Sequence, residues 1–233
     1  MRICGVQGVS AIDFPGRIAS VIFLGGCNFR CPFCHNPELV QHPLALQDLS
    51  IDDMLGQLER RSGLIDGVVV TGGEPLIHGR ALLDLLRRLH DAGLAVKLDT
   101  NGYETDMLRQ ALSSGSVDFL AMDVKTSPGK YAKATGRTMD VQPILDSIAA
   151  MQEAGIRHEF RTTCVPGLVE LDDVMIIASL LGPQSNYVLQ QYRTGTALLD
   201  PTYQKLKPHA PEAMKAFATA ASSLAGNVSL RGV

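Results

Sequence analysis

Cys27, Cys31 and Cys34 fall within eight residues in the spacing C-x3-C-x2-C, directly after the apolar run Ile18 to Leu24 and the pair Gly25-Gly26. Thiolates this close together can hold a metal centre. Four-ligand zinc sites usually draw on two separated pairs, and no second pair follows. A Cys3His zinc set would need His35, which is adjacent to Cys34 and hard to aim at the same ion. An ordinary [4Fe–4S] cluster takes four cysteines. Three leave one iron without a protein ligand and open to a small chelating molecule. Three structural cysteines are the remaining reading. Cys4 and Cys164 lie apart from the motif and read as small buried apolar side chains.

The elements that must position these thiols are legible in the hydrophobic pattern. Ile18 to Leu24 is nearly all apolar, as a strand covered on both faces should be. Further strands are expected at Gly67–Thr71, Ala95–Asp99, Asp118–Lys125, His158–Val165 and Tyr187–Tyr192. Between them, stripes such as Leu82, Leu85, Leu86 and Leu89, or Ile144, Leu145, Ile148 and Met151, have helical period and stop at Gly93 and Gly155. Val174, Ile177, Leu180 and Leu181 form another stripe. Ser50, with Asp53 three residues on, predicts a capped helix start. Residues 37–49, with Pro37 and Pro43, read as loop. Residues 1–17 read as a hairpin or arm turning at Pro15-Gly16. After about residue 193, a loop precedes an Ala-rich helix from Pro211 to Leu224 and a short strand around Val228 to Leu230.

Strand followed by helix, repeated six times, predicts an α/β fold with a parallel sheet and right-handed crossovers. Eight such units close a barrel of roughly 250 residues. Six imply a partial (β/α)6 TIM-like barrel, open on one side. We expect a single domain over 1–233, with an arm at 1–17, a core at 18–193 and a C-terminal extension at 194–233. In barrel-like folds the active site forms at the C-terminal ends of the strands. The cysteine loop, Gly72-Gly73-Glu74-Pro75, Asp99-Thr100-Asn101, Asp123-Val124-Lys125 and Arg161 should therefore converge. Gly72 and Gly73 allow close backbone approach to a ligand. Asp99 and Asp123 end consecutive strands, and would repel unless a cation or a lysine sits between them.

Composition narrows the classes. The apolar fraction is 45% and the net charge −3, so a large core is affordable and no bulk electrostatic footprint for nucleic acid exists. No run of 18 or more apolar residues reads as a membrane span, and residues 1–12 do not read as a signal peptide. Three clustered cysteines out of five argue for a reducing, cytoplasmic setting.

The cysteine loop followed one strand later by Gly72-Gly73-Glu74-Pro75 resembles the radical S-adenosylmethionine (radical SAM) enzymes. Leu98-Asp99-Thr100-Asn101-Gly102, Met122-Asp123-Val124-Lys125, Phe160-Arg161-Thr162-Thr163 and Cys34-His35-Asn36 further resemble their glycyl radical enzyme activating subgroup. Asp13-Phe14-Pro15-Gly16 resembles that subgroup's Asp-Gly-Pro-Gly, with Phe14 as a departure. The resemblance implies one [4Fe–4S] cluster on Cys27, Cys31 and Cys34, with S-adenosylmethionine on the open iron. It implies Gly72, Gly73 and Glu74 near the cofactor amino group and Phe33 near the adenine. Asp99, Thr100 and Asp123 would help bind a monovalent cation beside the cofactor carboxylate, and Asn101, Lys125 and Arg161 would complete the cofactor site. The partner implied is a glycyl radical enzyme, in the short-form subgroup anaerobic ribonucleoside-triphosphate reductase, with an external electron donor such as flavodoxin or ferredoxin. Alternatives are activation of another such enzyme, for example pyruvate formate-lyase, a radical enzyme acting on a small molecule in the manner of a deazapurine synthase, and a non-enzymatic iron–sulfur or zinc module.

Overall fold

The computed structural model describes every residue except Thr196. Among the described residues, one sheet of eight strands runs in chain order from edge to edge. Its strands are β1 (Ile3–Ser10), β2 (Ala19–Leu24), β3 (Gly67–Gly72), β4 (Ala95–Thr100), β5 (Phe119–Asp123), β6 (Arg157–Cys164), β7 (Asn186–Gln191) and β8 (Asn227–Arg231). All neighbours from β2 to β8 are parallel, and β1 lies antiparallel against β2. The six expected strands are β2 to β7. The N-terminal hairpin and the short tail strand extend them at the two edges, and β1 and β8 leave the barrel open.

The inner face of the sheet carries alternate side chains. At the N-terminal ends of the strands, Phe14, Ala19, Val21, Val69, Phe119 and Ala121 form an apolar floor, with the Phe14 and Phe119 rings 5.9 Å apart. Phe14 is the residue that departs from Asp-Gly-Pro-Gly, and its ring fills this floor. The outer face packs against α3 (Arg80–Asp91), α4 (Thr105–Ser113), α6 (Gln142–Glu153), α7 (Leu171–Leu181) and α8 (Pro211–Ala221), numbered with three further helices named below. The stripe Leu82, Leu85, Leu86 and Leu89 of α3 is fully buried.

Local signals hold with a few corrections. Ser50 caps α2 (Ile51–Glu59): its hydroxyl oxygen accepts the Asp53 N–H at 3.0 Å. The stretch expected as loop contains α1 (Pro37–Gln41), which Pro37 starts because its missing N–H costs nothing in a first turn. A short α5 (Tyr131–Thr135) was not expected; it follows the turn at Pro128. Leu180 is 40% exposed and lies off the buried stripe of α7. No helix among the described residues is long and apolar enough to cross a membrane.

Candidate active site

Sheet register brings the strand ends to one level. Leu24 pairs with Gly72, Val70 with Leu98, Thr100 with Met122 and Asp123 with Arg161. Each polar cluster named above therefore leaves its strand at the same mouth. The loops are then fastened to one another. Gly73 N–H donates to Leu24 O at 2.9 Å, and Glu74 N–H donates to Gly26 O at 2.8 Å. A Cβ on Gly73 would stand 1.8 Å from Gly26 O, and Gly72 holds φ of 134° with Leu24 O 2.2 Å from its would-be Cβ. The close approach these glycines permit is thus to the backbone that leads into the cysteine loop.

Cys27, Cys31 and Cys34 are free thiols and line one cavity of about 430 Å³, together with Phe33, Gly72, Gly73, Glu74, Asp99, Thr100, Asn101, Asp123, Lys125 and Arg161. Every candidate residue from the sequence is therefore brought together. Burial pushes the Cys27 thiol up to about 11 and the Cys31 thiol up to about 12. Unaided, both are neutral at pH 7; metal binding would supply the charge that a thiolate needs. Phe29 N–H already points at Cys27 Sγ, 3.3 Å away. Three soft donors on one short loop, facing a cavity wide enough for a further ligand, fit an iron–sulfur cluster with an open coordination position. His35 does not complete a zinc set: its Nε2 bonds to Arg193 O at 3.0 Å.

The two strand-end carboxylates lie side by side, and the cation between them is Arg161. Its Nε donates to Asp123 at 2.8 Å and its Nη1 to Asp99 at 3.1 Å. Lys125 adds a 3.0 Å ion pair to Asp123. Burial acts to raise both carboxyls, but Arg161 together with Lys97 or Lys125 more than offsets it. Asp99 and Asp123 are held below the ordinary carboxylate range, and Asp123 far below. Burial alone would lower Arg161; Asp123, Asp99 and Glu159 outweigh it and keep the guanidinium charged.

Lys97 was missed from sequence. It is 1% exposed and sits 2.7 Å from Asp99. The signal was available, because residues two apart on a strand share a face, and Lys97 with Asp99 on β4 repeats as Glu159 with Arg161 on β6. Asn28 was missed as well. Its side-chain oxygen accepts from Asn101 Nδ2 at 2.7 Å, tying the cysteine loop to the end of β4. Glu74 is buried at 1% exposure, and both its oxygens are engaged by Leu76 N–H, Thr100 Oγ1–H and Asn101 N–H.

Comparison with known proteins agrees with this assembly. The family model described as the radical SAM superfamily matches residues 21–180. A Methanocaldococcus jannaschii protein named as a glycyl-radical enzyme activating enzyme is 27% identical over 99% of this chain and 96% of its own. The pyruvate formate-lyase-activating enzyme of Clostridium pasteurianum is 28% identical over 72% of this chain and 71% of its own. The 7-carboxy-7-deazaguanine synthase of Hyperthermus butylicus is 32% identical over 53% of this chain and 56% of its own. Among solved structures, a domain of a pyruvate-formate lyase-activating enzyme from Bacteroides vulgatus superposes with a TM-score of 0.58 at 19% identity, covering 71% of this chain and 99% of that domain.

Proposed function

This chain belongs to the radical SAM superfamily, and from that premise we propose that it is an activase which places a radical on a glycine of a partner enzyme. The single observation that carries the reading is the cavity that gathers the three thiols, the glycine loop and the Asp99–Arg161–Asp123 bridge at one mouth of an open barrel. The near full-length similarity to a protein named as an activating enzyme supports it. The partner we propose is anaerobic ribonucleoside-triphosphate reductase, on the sequence resemblance above.

Cys27, Cys31 and Cys34 would hold the [4Fe–4S] cluster. When bound with S-adenosylmethionine, the cluster supplies the electron that breaks a carbon–sulfur bond and starts radical chemistry. The chain's own residues position the reactants. Gly72 and Gly73 put backbone at the cavity wall for the cofactor amino group. Glu74 acts as a brace beneath them, since its oxygens are already committed. Phe33, buried in the cysteine loop, offers a face for the adenine. Lys125 and Arg161 are the cations for the cofactor carboxylate and ribose. A monovalent cation between Asp99, Thr100 and Asp123 would require Arg161 to release at least one of its two carboxylate bonds. The open edge between β1 and β8 leaves room for a polypeptide loop, and a glycine Cα has no side chain to obstruct approach. Proximity and orientation dominate such a transfer.

The test is to mix reduced protein, S-adenosylmethionine and an anaerobic ribonucleoside-triphosphate reductase, without oxygen, and record electron paramagnetic resonance. A glycine-centred doublet that vanishes when the partner's glycine becomes alanine supports the proposal. A second reading, small-molecule chemistry, draws on the similarity to 7-carboxy-7-deazaguanine synthase over about half the chain. Cofactor cleavage with no doublet, but with conversion of a small metabolite, would replace the first reading with this one.

A further inference from the structure

The cysteine loop has two faces. Cys27, Phe29, Cys31 and Phe33 line the cavity, whereas Asn28 and Arg30 do not. Arg30 is exposed, and its guanidinium donates to Cys27 O at 2.7 Å and to Phe29 O at 2.8 Å. Arg137 is also exposed and donates to Asn28 O at 2.7 Å. Two guanidinium groups thus sit on three consecutive carbonyls of the loop that carries the first thiol.

Two acid-free stretches of the chain meet here. No Asp or Glu occurs from Phe14 to Pro37, nor from Val124 to Met139. Arg30 N–H donates to Thr135 O at 2.8 Å, and a Cβ on Gly136 would stand 2.4 Å from Arg30 O, so the stretches touch backbone to backbone. Lys133 is exposed on α5, two residues before that contact. Within these stretches Lys125 is paired with Asp123 and Lys130 with Asp173. Among the described residues, Arg30, Lys133 and Arg137 have no carboxylate at ion-pairing distance. Three acids touch the loop: Glu104 accepts from Asn28 Nδ2 at 3.1 Å, Asp200 N–H donates to Pro32 O at 2.9 Å and Glu74 N–H donates to Gly26 O at 2.8 Å, and each lies outside ion-pairing distance of Arg30, Lys133 and Arg137. A protein of net charge −3 therefore carries a local cationic face on the back of its cysteine loop.

We propose that this face, centred on Arg30, Lys133 and Arg137, docks an acidic one-electron donor protein. The inference rests on the activase reading, which needs an electron delivered from outside. Only three of the five cysteines are clustered, and the other two are isolated and buried, so the chain offers no site for a second cluster to relay that electron. The donor must therefore approach the cysteine loop itself. The cavity side is taken by the cofactor and the target loop, which leaves the outer side. In the transfer the donor's reduced flavin or iron–sulfur centre loses one electron and the oxidised cluster gains it; no bond forms or breaks and no proton is required. Unpaired charges at the rim of such a face steer encounter and make its rate salt-dependent.

Lys133→Glu is the informative variant, because the Lys133 side chain holds no loop carbonyl. Lys215→Glu on α8, also exposed, changes the net charge by the same amount away from the face. Reduced flavodoxin serves as the probe. Its electron transfer to the reconstituted protein is followed by stopped-flow absorbance, and binding of oxidised flavodoxin by calorimetry. At low ionic strength Lys133→Glu is expected to slow the transfer about tenfold and to weaken binding. Raising the salt should close the gap, while Lys215→Glu and reduction by dithionite stay at wild-type rates. Equal flavodoxin rates and affinities in wild type and Lys133→Glu would overturn the proposal, as would an equal loss in Lys215→Glu. If dithionite-reduced wild type fails to cleave S-adenosylmethionine, the activase reading falls by itself, whatever flavodoxin binding shows.

Discussion

The hydroxyl of Thr100 donates to Glu74 at 2.7 Å, and this contact fastens the loop after β3 to the loop after β4. Glu74 also accepts Asn101 N–H at 2.6 Å and Leu76 N–H at 3.0 Å. One buried carboxylate thereby fixes the backbone on both sides of the proposed cofactor position. Asn101 carries the tie onward through Asn28 into the cysteine loop.

Burial raises the Glu74 carboxyl from its ordinary 4.5 to about 7, against the three hydrogen bonds and Lys125, which act to lower it. A carboxyl with a raised folded-state pKa keeps its proton longer folded than unfolded. Stability therefore falls as pH rises through the window from 4.5 to about 7. The size of the shift corresponds to about 3 kcal/mol. Glu74→Gln should flatten the slope across that window and cost about 1–3 kcal/mol at low pH, where an amide N–H then faces Asn101 N–H. Asp99 and Asp123 titrate below it. Urea unfolding of metal-free protein from pH 5 to 8 is the measurement, and parallel profiles for wild type and variant would remove Glu74 from this role.

Much of this was legible in the sequence because strand ends mark themselves. Apolar runs terminating in Gly72-Gly73-Glu74, Asp99-Thr100-Asn101 and Asp123-Val124-Lys125 name both the strand and the mouth it feeds. The edge strands were harder. β1 mixes Gly5 and Gly8 with half-exposed positions, and β8 shows little apolar contrast, because an edge strand at an opening has less to bury. The partner of each charge was not legible either. Arg161 bridges Asp99 and Asp123 through a register between β5 and β6 that no local pattern encodes. Lys97 has a readable period with Asp99, but a single lysine inside an apolar strand does not announce that it is buried against a carboxylate.

Gly73→Ala should lower the melting temperature and loosen the cysteine loop. The added Cβ would meet Gly26 O at 1.8 Å and Gly26 C at 2.6 Å, and both are backbone atoms that cannot rotate away. Overpacking of this kind costs about 1–3 kcal/mol or more. Gly129, with nothing within 4 Å of its would-be Cβ, is the control, and Gly129→Ala should melt with wild type. Coincident melting of Gly73→Ala and wild type would contradict the close approach.

Arg161→Met removes the cation from between two half-buried carboxylates. Breaking a buried pair from one side costs about 3–5 kcal/mol. The pH dependence fixes the sign. In wild type the lowered Asp99 and Asp123 contribute stability that is present above their ordinary 3.8 and lost as pH falls through their folded values. In the variant the carboxylates repel and their values rise, so protonation relieves them. The deficit relative to wild type should thus be large at pH 7 and shrink toward pH 4. A deficit independent of pH would mean that packing, not charge, is what Arg161 supplies.

The cysteines divide by position, and iron content should divide the same way. Cys164 is fully buried on β6 with its Sγ 3.9 Å from Thr162 O, and Cys4 lies beneath Gly25, its Sγ 2.6 Å from where a Cβ would be. Neither reaches the cavity that Cys27, Cys31 and Cys34 line. Anaerobic reconstitution of wild type should give about four irons per chain, the content of one cluster. Alanine at Cys27, Cys31 or Cys34 removes a ligand that no other thiol can replace, so each variant should lose the cluster. Cys164→Ala and Cys4→Ala should keep it, with the larger stability loss at Cys164, where a fully buried sulfur becomes a small void. Circular dichroism separates loss of ligand from loss of fold, because the metal-free melting of Cys31→Ala should stay close to wild type. If Cys4 or Cys164 proves essential for iron while the chain stays folded, the ligand set is not the one the loop presents.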